Sequence, residues 1–353
     1  MRIRLPNKAQ TAKSGGILIC LLIVSTGWNL INWRIKNNQT MASKIDSKSE
    51  SARAPADDSL RVVMADGGQD PDKAFNTKLL RLILQRSGRR HNLQIYPRSF
   101  NQNNIIRALE TSEDFALTDI ERVNVAVMGA DSTINRRLHR IPIPIAGGLL
   151  GMRVGFLHRN HLPLTKKVKS RSDLTNLILL QGVGWRDVDI LDSEGLKTFS
   201  ARPSELLRIL DSGRAHLFLR GVGEIETEYA TIKASSEHLI LDENLLLIYP
   251  FAGFFYVNKQ NYRLAEALET GFKRAIADGS YEDLIHEELL TEALSKKLRI
   301  RSRNVIYLNN YDDNAAINGV DPKLWRIPWR QLTQGKIKTG AQLCHVKTLK
   351  DLC

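Results

Sequence analysis

Apolar and polar positions alternate along this chain in a way that sets out its elements. Leu60 to Ala65 (LRVVMA) reads as a strand ending in the turn Asp66-Gly67-Gly68-Gln69-Asp70. Phe75 to Leu84 then carries apolar residues at helical spacing, with Gly88 as its stop. His91 to Tyr96 predicts a second strand and Gln102 to Leu109 an amphipathic helix. Val123 to Met128 predicts a third strand, opening into Gly129-Ala130-Asp131-Ser132-Thr133. A β-α-β-α-β order implies a parallel sheet whose ligand crevice lies at the carboxyl ends of its strands, and the loops at Asp66 and Ser132 lie at such ends.

Ile141 to Phe156, IPIPIAGGLLGMRVGF, breaks the alternation. Prolines and glycines among apolar residues predict extended chain crossing to a second domain, with a boundary near Gly148. In that domain Leu177 to Leu180 reads as a strand. Gln181-Gly182-Val183-Gly184 is a tight turn, and Trp185-Arg186-Asp187 opens a helix ending near Gly195. Unpaired N–H groups of a first helical turn favour a negative or strongly polar group in front of them, so this turn is a candidate for ligand capture. A plain αβ turn that needs φ > 0 has the same look. A helix from Pro203 to Ser212, a strand from His216 to Leu219 and a helix from Glu224 to Ile232 follow. Tyr249 to Lys259, YPFAGFFYVNK, then crosses back, and Leu264 to Asp278 forms a long amphipathic helix. Two α/β lobes joined by two crossings make a hinge with a ligand between them. The expected organisation is residues 60–147 for lobe I, 148–248 for lobe II, 249–330 for the crossing and the return to lobe I, and 331–353 for a basic tail.

Composition adds a destination. The 353 residues are 42% hydrophobic and 25% charged, with a net charge of +13. Lys and Arg outnumber Asp and Glu by 8 to 2 in residues 1–50 and by 12 to 4 in residues 295–353, but stand at 31 to 32 between them. A neutral body with basic ends favours membrane proximity over a nucleic-acid-binding face, so no nucleic-acid partner is expected. Arg2, Arg4, Lys8 and Lys13 precede the apolar stretch Gly15 to Ile31, with Trp28 and Trp33 at its far end. Residues 1–35 thus read as a cleaved signal peptide or an N-terminal anchor in the inner membrane, both readings open, and 36–59 as a solvated linker. The basic leader stays in the cytoplasm, which puts the rest in the periplasm. Cys344 and Cys353 could close a small C-terminal loop in an oxidising compartment.

Several short motifs in fixed order carry a family resemblance. They are Asp70-Pro71 with Leu79-Leu80, Thr133 with Arg136, IPIPIAGGLLGMRV, GVGWRDVDIL, LRILDSGRAHLFLRGVGEI, LLLIYPFAGFFYVNK, LETGFKRAIADGSYEDLI and LWRIPW. Over residues 60–330 the chain resembles the extracellular, periplasmic solute-binding proteins of the amino-acid-binding branch, among them transporter substrate-binding-domain-like members. The resemblance implies an α/β, two-lobed periplasmic-binding-protein type II fold. It also implies a small polar ligand clamped by hinge closure, no cofactor, and an ABC-type transporter or a sensor protein as partner. Thr133 and Arg136 match the family's T-x-x-R, which seizes a ligand carboxylate, chemistry that suits the planar fork of a guanidinium. Gly182, Gly184 and Trp185 match the loop that meets the ligand with backbone groups. Trp185 serves equally as a packing residue at the helix start. Asp66 lies at the first strand's end. Arg220 is either a further ligand contact or the partner of Glu224 on the next helix. Ala215 and His216 stand where many relatives carry an acid, which removes a partner for an α-amino group. Of the aromatic run Tyr249, Phe251, Phe254, Phe255 and Tyr256, strand alternation sends half outward, and Phe251 is the candidate to wall the cleft.

Catalysis would call for a nucleophile beside a base, paired acids in the cleft, or a metal set. His158 and His161 flank Arg159 and Pro163 in a polar loop and read as two exposed histidines without a third ligand. Glu224, Glu226 and Glu228 read as a solvated helix start. The turn at Gln181 has no Walker-type lysine and no full dinucleotide fingerprint. A non-catalytic binding protein is therefore expected. The rival is an enzyme on the same bilobal scaffold, such as a dehydratase or cell-wall lyase relative.

Overall fold

The protein is described by a computed structural model covering residues 58–65, 70–96, 100–111 and 122–353, without the side chains of residues 313 and 314. The apolar stretch from Gly15 to Ile31 and the turn at Asp66 lie outside the described residues. Among these, no helix is long and apolar enough to cross a membrane.

Strand β1 (Leu60–Ala65) leads into α1 (Phe75–Ser87), which stops at Gly88, whose φ of 74° only glycine adopts freely. β2 (His91–Tyr96) pairs parallel with β1 over its whole length, from Leu60↔His91 to Ala65↔Tyr96. Next come α2 (Gln102–Glu110), capped by the Asn101 side chain, β3 (Val125–Gly129), parallel to β1, and α3 (Ser132–Arg137). The Asp131 carboxylate caps α3 by accepting from Ile134 N at 2.7 Å. After the short β4 (His139–Arg140) the chain leaves this sheet through a buried crossing at Ile145–Gly151. There Ala146, Gly147 and Gly148 take φ of 50°, 59° and 85° in succession.

The second sheet begins with β5 (Met152–His158) and continues through α4 (Leu162–Lys167), α5 (Arg171–Leu174), β6 (Ile178–Gly182), α6 (Arg186–Ser193), β7 (Lys197–Ala201), α7 (Leu206–Asp211), β8 (Leu217–Gly221), α8 (Ile225–Ser235), β9 (Leu239–Leu241) and β10 (Leu245–Ile248). β6 runs parallel to β7 and β8, while β5 is antiparallel to β8, β9 and β10. The chain then returns. β11 (Gly253–Val257) inserts antiparallel between β3 and β4, giving the first sheet the order β2-β1-β3-β11-β4. An internal strand covered on both faces has no outward side, so Phe254, Phe255 and Tyr256 of β11 are all buried, and Tyr249 and Phe251 in the segment before it are buried as well. The alternation expected for this run is thereby corrected.

α9 (Tyr262–Ala277) lies on α1 at backbone contact: a Cβ on Gly271 would stand 1.8 Å from the Ile83 carbonyl oxygen. α10 (Ser280–Glu288) and α11 (Glu292–Leu298) lead to β12 (Asn304–Tyr307), which pairs parallel with β10 and completes the second sheet as β12-β10-β5-β8-β6-β7. α12 (Asp313–Ile317), α13 (Trp329–Thr333) and α14 (Gly340–Leu343) follow. The C-terminal segment is packed through its leucines, with Leu332, Leu343, Leu349 and Leu352 buried and Gly340 N donating to Arg303 O at 2.8 Å. Cys344 and Cys353 form a disulfide.

Candidate functional site

The glycine turn forms as strand, turn and helix. Gly182 ends β6, Gly184 adopts φ 79°, and Trp185 N donates to Gly182 O at 3.1 Å before α6 begins. Gly182 is required by close approach, since a Cβ there would stand 2.3 Å from Trp185 Cε2. The indole lies back over the turn, stacked on Phe218 at 6.3 Å, with the Arg220 guanidinium 4.9 Å from its ring centre. Trp185 and Arg220 are thus brought together, with Trp185 packing at the helix start.

Behind them is an ion-pair network. Arg153, only 3% exposed on β5, meets Asp187 Oδ1 at 2.7 Å and Glu224 Oε2 at 3.3 Å. Asp187 also accepts from the Tyr249 hydroxyl, and Glu224 Oε2 accepts from Gly221 N at 2.6 Å. Arg220 binds Glu224, and its Nε donates to Glu228 Oε2 at 2.6 Å. Burial pulls the Arg220 guanidinium down, but Glu224 and Glu228 more than offset it and hold the group above its ordinary value. Burial raises Glu228 despite Arg220, and lifts the Tyr249 hydroxyl well above its usual range despite Arg153. Glu224 and Glu228 are therefore partnered charges. Glu226 likewise meets Lys297 at 2.7 Å, which replaces the solvated helix start expected from the sequence.

The remaining candidates sit apart from this network or at its edge. Phe251 is 4% exposed, its ring 5.4 Å from the Arg153 guanidinium and pressed on Gly129, where a Cβ would stand 2.2 Å from Phe251 Cζ. Thr133 and Arg136 are exposed on α3 and bond each other, Arg136 Nη2 donating to Thr133 Oγ1 at 3.2 Å. Arg137 pairs with Glu110 through two bonds of 2.6 and 2.7 Å. At the start of α3, Asp312 accepts from Ser132 N at 2.7 Å and meets Arg186 of α6 at 3.2 Å. A cavity of about 260 Å³ lies between the sheets. Val127 and Gly253 line it from the first and Gly221 from the second, with Glu224 and Thr227 after β8 and Phe75 of α1 also in the wall.

Sequence reasoning missed Arg153 and Asp312, and the meeting of Asp187 with Tyr249. It also missed a histidine cluster beside β5, where His158 lies 6.0 Å from His161 and 5.4 Å from His238, and His161 lies 4.8 Å from His216, ring centre to ring centre. His158 and His161 are half-buried, which corrects the reading of two exposed histidines. The spacing of His158 and His161 was visible, but their partners His216 and His238 lie far along the chain. Among the described residues no group of three or more His, Cys, Asp or Glu is placed to hold a metal ion.

No family model and no curated protein matches the chain. Solved structures do. A proposed binding component of an ABC transporter from Wolinella succinogenes, complexed with lysine, matches with a TM-score of 0.50 at 17% identity, over 68% of this chain and 100% of that one. An amino acid ABC transporter substrate-binding protein from Streptococcus pneumoniae bound to L-arginine matches with a TM-score of 0.47 at 14% identity, over 66% and 94%. A histidine kinase sensor domain with similarity to periplasmic binding proteins matches with a TM-score of 0.46 at 14% identity, over 65% and 96%. The chain has the periplasmic-binding-protein fold, the fold of amino-acid-binding substrate-binding proteins.

Proposed function

We propose that the chain is a non-catalytic solute-binding protein that holds a small polar molecule between two lobes, each built on one sheet, for transport or sensing. The observation that carries this reading is the cavity of about 260 Å³ walled by both sheets. Its size suits a small molecule, just below the usual range for ligand pockets. The crossings at Ile145–Gly151 and between β10 and β11 are the hinge in this reading, and rotation about them widens or closes the cavity. The ion pairs behind the glycine turn support binding over catalysis, because they leave Asp187, Glu224 and Glu228 partnered by arginines rather than poised beside a nucleophile. The Cys344–Cys353 disulfide suits a periplasmic destination, with residues 1–35 delivering or anchoring the folded part and an ABC-type transporter or a sensor receiving the loaded clamp. A thermal-shift screen of the chain against amino acids, polyamines, small carboxylates and sugars tests the reading. A solute at about 100 times its dissociation constant stabilises the fold by about 2.7 kcal/mol. A melting point that no solute moves overturns it.

A further inference from the structure

We propose that Asp312 is a resident carboxylate that fills an anion seat between α3 and α6 and shuts solute carboxylates out of that seat; this rests on the solute-binding reading above. Two donors, at the starts of α3 and α6, converge on one oxygen. Ser132 N donates to Asp312 Oδ2 at 2.7 Å, and Arg186 Nη2 approaches the same atom at 3.2 Å, with the Arg186 and Asp312 side chains each 14% exposed. A backbone N–H and a guanidinium facing each other across a gap form a seat for a carboxylate, since charge-assisted hydrogen bonds are the strong ones. Arg186 Nε is buried without a hydrogen-bond partner among the described residues, so the seat has a donor to spare.

The segment carrying Asp312 is held on both sides. Asn310 Nδ2 donates to Pro250 O at 2.7 Å, Asp312 N donates to Asn310 Oδ1 at 3.0 Å, and the Arg186 guanidinium lies 4.6 Å from the Tyr311 ring centre. Beyond it, Asn135 Nδ2 donates to Ala315 O at 2.9 Å, Arg140 donates to the Ala315 and Asn318 carbonyls, and Ala316 is fully buried. A carboxylate tethered in this way competes at an effective concentration that a free solute must exceed, on the order of millimolar or more.

The experiment measures melting temperatures of the full chain and of Asp312→Ala with sodium acetate, L-glutamate and putrescine, against sodium chloride at equal ionic strength. Acetate and L-glutamate are expected to stabilise Asp312→Ala with an affinity roughly tenfold or more above wild type, the return for regained charge-assisted bonds. Adding Arg186→Gln should abolish that gain. Equal responses of wild type and Asp312→Ala to the carboxylates, whether both respond or neither, overturn the assignment. If Asp312→Ala does not fold by circular dichroism, Asp312→Asn, which keeps an acceptor for Ser132 N, is read by the same criteria. A wild type stabilised by L-glutamate refutes the resident carboxylate while sustaining the solute-binding reading. A wild type blind to every solute removes that reading, and the carboxylate gain in Asp312→Ala still decides the seat.

Discussion

Arg153 interrupts an apolar strand, and its charge is bearable only because Asp187 and Glu224 reach it at 2.7 and 3.3 Å. Asp187→Ala would leave this guanidinium with one partner and the Tyr249 hydroxyl without its acceptor. Breaking a buried pair in this way costs about 3–5 kcal/mol. Urea unfolding should therefore show a loss of unfolding free energy of that size, read as a lower midpoint at unchanged slope, and a loss below about 1 kcal/mol would mean that the network relaxes around the gap. Part of this was legible: Arg220 and Glu224 are an i,i+4 pair, and the ion-pair alternative for Arg220 is the one formed. Asp187 was readable as a first-turn acid, but its partners Arg153 and Tyr249 arrive from other strands, the tyrosine 62 positions away. Spacing along one element says nothing about such meetings. The same holds for Thr133 and Arg136: their local motif was visible, while the carboxylate that meets the neighbouring Ser132 N comes from a segment 180 positions away.

Elements with a strong period were legible nearly to their ends, as with β1, β2 and α1, whose glycine stop is a left-handed cap. β11 and β12 were not, because a short, fully buried strand carries no alternation and its sheet is decided by tertiary pairing. At the junction of β6 and β8 the pairing depends on a histidine. Ile178 N donates to His216 Nδ1 at 2.8 Å, while His216 N donates to Ile178 O at 2.8 Å, so the ring must be neutral at that nitrogen. Burial first and Lys197 second lower His216 below its ordinary 6.5; burial, His216 and His158 lower His161. The unfolded chain therefore binds more protons than the folded one just below 6.5. This contribution to stability is whole above that value and is lost as pH falls through the depressed folded values. Urea midpoints should drop between about pH 7 and pH 5, and His216→Gln should flatten that dependence. A profile identical in the variant would place the acid sensitivity elsewhere.

At the scale of the whole molecule, the two-sheet plan followed from the interrupted α/β alternation, whereas the role of the basic C-terminal residues did not, because charge counts do not reveal burial. Leu349 and Leu352 are 1% and 0% exposed in the core, and Thr348 Oγ1 donates to Arg326 O at 2.6 Å. The chain end is thus tied back near the crossing, where Arg326 N donates to Gly147 O at 3.0 Å. The disulfide closes a loop spanning 9 positions around these residues and removes closure entropy from the unfolded chain, worth about 2–3 kcal/mol on the chain-entropy model. Wild type treated with reductant should therefore melt several degrees lower, matching Cys344→Ser/Cys353→Ser, which should itself ignore reductant. The solute response should survive reduction, since the cavity lining includes none of these residues. If oxidised and reduced chains melt together, the crosslink lends the fold no support. Cysteine pairing then gives no stability reason for an oxidising destination.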